Sequence, residues 1–135
     1  MSRYSMSKTV AGTFPEVKAR VVSALKTQGF GVLTEIDVQR TLREKIGAEL
    51  EPYIILGACN PQAAYKALSV DRDIGLLLPC NVVLRSLEGK VEVSILDPTV
   101  MFSVVEETTQ RSLSSLPVET KERLQAALDS LGGEE

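Results

Sequence analysis

Two cysteines, each followed directly by an asparagine, are the side chains best equipped to do chemistry: Cys59-Asn60-Pro61 and Cys80-Asn81. A thiolate is both a nucleophile and a soft-metal ligand, and the thiol pKa sets its supply. Cys59 ends a nearly continuous apolar run from Pro52 and precedes a segment that reads as a helix. Asn60 is a favoured N-cap residue, and Pro61 is favoured in the first helical turn. That junction places Cys59 beside free helix N–H groups and the positive end of the helix dipole. It predicts a lowered thiol pKa and makes Cys59 the best catalytic candidate. Cys80 follows Pro79 in a strand of irregular start and reads as the partner or resolving thiol. Asp97-Pro98 stops the following strand. The link between these two strands is short, so Asp97 is expected opposite the start of the Cys80 strand, where it could accept a proton or orient a donor. The candidate ligand-binding set is therefore Cys59, Asn60, Pro61, Pro79, Cys80, Asn81, Asp97 and Pro98. Its chemistry suits a small thiol, another sulfur species or a soft cation such as Cu(I).

The competing account makes both cysteines core filler, since unpaired cysteine packs as a small hydrophobe. Histidine is absent, which removes Ser-His-Asp and Cys-His catalysis and every histidine-containing zinc pattern. Two cysteines without CxxC spacing are weak metal candidates; a dimer would be needed to supply four sulfurs. No GxSxG, Walker A or GxGxxG fingerprint occurs, so nothing points to a conventional hydrolase or dehydrogenase, and no cofactor is expected. Gly29-Phe30-Gly31 is too short to count and reads as a helix stop before a strand.

The elements that must position these residues are legible from periodicity. Tyr4 to Ala11 alternates as a half-buried strand with Tyr4, Met6 and Val10 inward. Thr13, Pro15 and Glu16 open a helix as a capping box, and Phe14, Val17, Val21, Ala24 and Leu25 form its apolar stripe. Gly31 to Val38 reads as a strand, and Leu42, Ile46 and Leu50 as a short amphipathic helix with a solvated Arg40-Arg43-Lys45 face. A buried strand to Cys59 and a helix from Pro61 follow, with Ala64, Leu68 and Tyr65 inward. Asp71 to Gly75 reads as a turn and Leu76 to Leu87 as extended chain. A hairpin then leads into Val91, Val93 and Ile95. Val100 to Val105 is a short apolar segment whose Met101 and Phe102 could meet a partner chain or the core. The last helix starts near Pro117 and turns Leu124, Ala127, Leu128 and Leu131 inward, ending in a frayed Gly132-Gly133-Glu134-Glu135 tail. These predict one α+β domain over residues 1–135, with its core in residues 4–131. A single mostly antiparallel sheet of about five strands would carry helices on one face.

Composition fits a compact soluble chain: 44% hydrophobic, 24% charged, net charge −3. No basic stripe or aromatic platform suggests nucleic acid. Residues 1–8 lack the apolar region of a signal peptide, and no apolar run is long enough for a membrane span. A cytoplasmic location with reduced thiols is the expectation.

With Gly57-Ala58-Cys59-Asn60-Pro61, Gly75 to Val83 and Val93-Ser94-Ile95-Leu96-Asp97-Pro98 in hand, the chain resembles domain-of-unknown-function family 302, a group of small prokaryotic proteins. Ala63 to Leu68 also fits. The likeness runs over about residues 4–131. It implies a TATA-binding-protein-like sheet as a shape only, with no DNA-binding implication, and a homodimer. It carries no established activity.

Overall fold

The computed structural model describes residues 2–132; the expected frayed tail from Gly133 onward lies outside the described residues. Five strands, β1 (Ser5–Val10), β2 (Gly31–Asp37), β3 (Tyr53–Cys59), β4 (Cys80–Leu87) and β5 (Lys90–Leu96), form one sheet in the order β1-β5-β4-β3-β2. Every neighbouring pair is antiparallel. The helices are α1 (Phe14–Thr27), α2 (Val38–Ile46), α3 (Pro61–Val70), α4 (Pro98–Met101), α5 (Glu107–Leu113) and α6 (Leu116–Asp129). This is the α+β architecture expected.

Period-two alternation decides which face is covered. Val91, Val93 and Ile95 of β5 are buried, while Glu92 and Ser94 between them are only partly so. The buried set packs against Val21 and Leu25 of α1 and Ala127 and Leu128 of α6. The other face carries cross-strand polar pairs: Arg85 stands opposite Glu92 with Nε 2.9 Å from Oε1, and the Ser7 and Ser94 hydroxyls lie 2.8 Å apart. The capping box predicted at α1 is formed in both directions, with Glu16 N–H donating to Thr13 Oγ1 and Thr13 N–H to Glu16 Oε1.

Several expectations need correction. Tyr4 and Tyr65 are exposed at 58% and 77%, so neither belongs to the core. Tyr4 precedes the first paired residue, and Tyr65 lies on the far side of α3 from buried Ala67. The extended stretch begins at Cys80: Asp71 accepts the N–H of Asp73 and starts a 3-10 turn over Arg72–Leu77, followed by a cis Leu78-Pro79 bond. Val100 to Val105 is helical through Val104, an α-turn to Met101 and a 3-10 turn over Phe102–Val104, and Asp97 caps its start. Met101 and Phe102 are buried in the core. Helix α5 has no counterpart in the sequence expectation, because only its Leu113 is buried, which leaves no apolar period to read. Helix α2 is amphipathic as expected, yet none of its residues is buried, and Ile46 is 73% exposed.

Candidate functional site

The site is built at the end of β3, where the chain turns into α3. Asn60 is extended, with φ −97° and ψ 110°, and its Oδ1 accepts the Ala63 N–H at 3.0 Å. Pro61 follows as the first helical residue. The N-cap read from Asn60-Pro61 is therefore present.

Register then separates the two cysteines. Cys80 faces Ala58, while Cys59 pairs on its other side with Gly31. Successive strand side chains alternate. Cys80, 6% exposed, thus joins Ala58 on the helix-covered face, and Asn60 turns to that face as well. Cys59 belongs to the alternate set with Gly57. On that set Gly57 is required by close approach: a Cβ there would lie 2.8 Å from Pro79 Cγ and closer still to Thr34 Oγ1. Pro79 is thus seated on the backbone of β3 at Gly57.

Cys59, Asn60 and Cys80 nonetheless border one small cavity of about 30 Å3. Its remaining walls are apolar, chiefly Phe30, Ala63, Ala67, Leu78 and Phe102. The space is enough for a water or a small apolar group. It adjoins a cleft of about 170 Å3 that shares Phe30, Asn60, Ala63, Leu116 and Thr120 and adds Gln62, Lys66, Glu119 and Arg123. Leu116, Glu119, Thr120 and Arg123 recur at spacings of three and four, so α6 presents them along one side. The Thr120 hydroxyl is already engaged with the Leu116 carbonyl at 2.8 Å. Asn60 stands at the threshold between the apolar inner space and the polar cleft.

The electrostatics differ from the expectation of an activated thiol. Burial pushes the Cys59 thiol up. It pushes Cys80 up to about 11, with a further contribution from the nearby Cys59. The physical reason is desolvation, which the capped helix end does not offset. Asn60 Oδ1 takes the Ala63 N–H, Pro61 has none to give, and the surroundings of the thiols are apolar. Both cysteines are therefore protonated near neutral pH.

Asp97 lies two residues beyond the last β4–β5 pair, Val82 with Ile95, as expected, but stands outside both cavities. Its Oδ1 accepts from the Thr99 N–H and hydroxyl, and Oδ2 lies 2.8 Å from Lys121 Nζ. Burial works to raise its pKa, and the bonds from Lys121 and Thr99 outweigh it, so the carboxyl is held below its ordinary value. Asp97 is a helix cap tied to α6, and Pro98 begins the short helix it caps. Asn81 is exposed, and Pro61 is exposed on α3. Of the eight candidates, Cys59, Asn60 and Cys80 share a cavity; Pro79 sits on Gly57 and does not line it, and the rest do not reach it. The structure adds Phe30, Lys66, Glu119 and Arg123. For Glu119 and Arg123 the visible signal is the three- and four-residue spacing in α6; for Phe30 and Lys66, and for α3 and α6 lining one cleft, the sequence carries none. Among the described residues, no group of three or more histidine, cysteine or carboxylate side chains could hold a metal ion.

Comparison with known proteins agrees with the fold. The family model "Domain of unknown function DUF302" matches residues 6–131. The crystal structure of an uncharacterized conserved DUF302 protein from Bacillus stearothermophilus superposes with a TM-score of 0.86 at 29% identity, covering 97% of this chain and 100% of that one. No curated protein matches.

Proposed function

The chain belongs to the DUF302 family, whose description assigns no activity, and we propose from the site itself that it is a small-ligand binding module. The carrying observation is the convergence of Cys59, Asn60 and Cys80 on an apolar cavity that adjoins a polar cleft. Raised thiol pKa values weigh against a redox nucleophile and favour a site that holds its ligand without bonding to it. A sulfur-containing ligand or soft cation remains within this reading, because metal binding displaces thiol protons. The cytoplasmic setting expected from the sequence suits reduced thiols, and no helix among the described residues is long and apolar enough to cross a membrane. NMR-detected screening of small fragments tests the reading. Binders should shift signals from Asn60, Ala63 and Thr120 together, and Ala63→Leu, which fills the shared wall, should abolish the shifts while preserving the helical circular-dichroism signal. Fragments that perturb no such cluster contradict it.

A second reading, an interaction module that pairs as a homodimer, is favoured by a different surface. Leu33 and Ile36 on edge strand β2 are exposed at 67% and 48%, and Ile46 at the end of the following α2 at 73%. The free edge of β2 can pair with its own copy across a two-fold axis. Helix α2 and the loop after it carry both signs, Arg40, Arg43 and Lys45 with Glu44 and Glu49, so a second copy is electrostatically self-complementary.

A further inference from the structure

Resting on the binding reading, we propose that the cleft between α3 and α6 selects a small monoanion with a short apolar tail, a short-chain carboxylate being the simplest such ligand. Asn60 is only 9% exposed. Its Oδ1 is committed to the Ala63 N–H, which fixes the amide orientation and leaves Nδ2 as the free end. Nδ2 makes no hydrogen bond among the described residues, yet no buried side-chain nitrogen or oxygen among them is sealed without a partner. The amide is therefore open toward the cleft it lines.

A second donor converges on the same point. Gly29, at φ +85°, has no side chain, and the position its Cβ would fill lies 3.1 Å from Asn60 Nδ2 and 3.8 Å from Arg123 Nη1. Lys66 lines the same cleft from α3. Neither Lys66 nor Arg123 forms an ion pair among the described residues, unlike Lys18, Arg85, Arg111 and Lys121. Two unpaired cations and an unpaired amide donor facing one opening are an unmet demand for a hydrogen-bond acceptor carrying negative charge. Glu119 at the rim offsets one positive charge. The cleft's net charge of about +1 suits a monoanion better than a dianion. Behind Asn60, the apolar cavity bordered by Phe30, Phe102 and Cys80 offers room for the end of a short alkyl chain. A ligand held this way lays its carboxylate across Asn60 and Arg123 and its tail against the Cys80 side of the sheet.

The test is titration of the intact chain with butyrate and with butyramide, its uncharged isostere, followed by NMR and calorimetry at pH 7. Butyrate should bind at least about tenfold more tightly, as the loss of charge-assisted bonds implies. Asn60→Asp keeps the helix cap and replaces the amide donor with a carboxylate. It should weaken butyrate by about tenfold or more and change butyramide far less. Lys66→Gln and Arg123→Gln, both on solvent-facing positions, should each weaken butyrate several-fold. Equal binding of butyrate and butyramide would overturn the charge selection and leave the cleft as a binding site. Absence of either ligand from the Asn60, Ala63 and Thr120 signals would overturn both. Butyrate binding that survives Asn60→Asp and Arg123→Gln unchanged would place the anion elsewhere and sink the proposal.

Discussion

Replacing Asn60 with alanine removes the acceptor of the Ala63 N–H at the start of α3. Losing an N-cap of this kind costs about 0.5–2 kcal/mol. The upper half of that range applies here, because the released N–H sits at the wall of an apolar cavity where water is a poor substitute. We take about 1.5 kcal/mol. At about 2.1 cal/mol/K of unfolding entropy per residue, a 135-residue chain has roughly 280 cal/mol/K at the midpoint, so Tm should fall by about 5 °C. Asn60→Asp offers an equally good cap with a charge that the helix dipole and Arg123 favour and that burial opposes, so its Tm should fall clearly less than that of Asn60→Ala. Differential scanning calorimetry at pH 7 measures both. If Asn60→Ala melts with the parent, or if Asn60→Asp falls as far as Asn60→Ala, the cap is not what Asn60 contributes and its free amide loses its rationale.

Other consequences follow from the same geometry. Gly57→Ala drives a Cβ into Thr34 and Pro79 and should cost about 1–3 kcal/mol in urea unfolding; Thr34→Ala should restore only part, because Pro79 stays in place. Asp97 has a depressed folded pKa, so its contribution to stability is present above the ordinary carboxylate range and is lost as pH falls through the folded value. Lys121→Met should therefore destabilise at pH 7 by about 0.5–1 kcal/mol, discounted because the lysine is partly exposed, and should flatten the acid limb of the stability profile. Iodoacetamide should alkylate both thiols more slowly at pH 7 than a free small thiol, Cys80 more slowly than Cys59, with rates climbing on the alkaline side; mass spectrometry of the modified peptides would contradict this by finding rapid labelling of Cys80 near neutrality. Light scattering should show a dimer that Ile46→Glu dissociates; a monomeric parent removes the β2–α2 pairing.

The sheet and the capped helices were legible because each is written locally: alternation in β1 and β5, Thr13 with Glu16, Asn60 with Pro61. The site was legible in part, and the part that was missed has a definite cause. A sequence shows Cys59 at the end of one strand and Cys80 at the start of another but gives no register, and the one-residue offset that sets Ala58 against Cys80 puts the cysteines on alternate faces. Asp97 was placed correctly along the chain, yet its partner Lys121 lies on a helix 24 residues later, and that contact turns a candidate proton acceptor into a structural cap. Lys66 and Arg123 looked like ordinary solvated charges because nothing local reports that α3 and α6 face each other across Asn60. Apolar spacing likewise suggested a helix at α2 and could not show that its stripe would be left uncovered.

The side-chain amide signal of Asn60 tests the central claim most directly. In a two-dimensional nitrogen–proton spectrum recorded during addition of butyrate, that signal should move saturably and in step with the backbone signal of Ala63, while the Asn81 side-chain amide, exposed on the β4 strand, stays still. An Asn60 amide that does not move, or that moves no more than Asn81, contradicts the account of a ligand held at the end of β3.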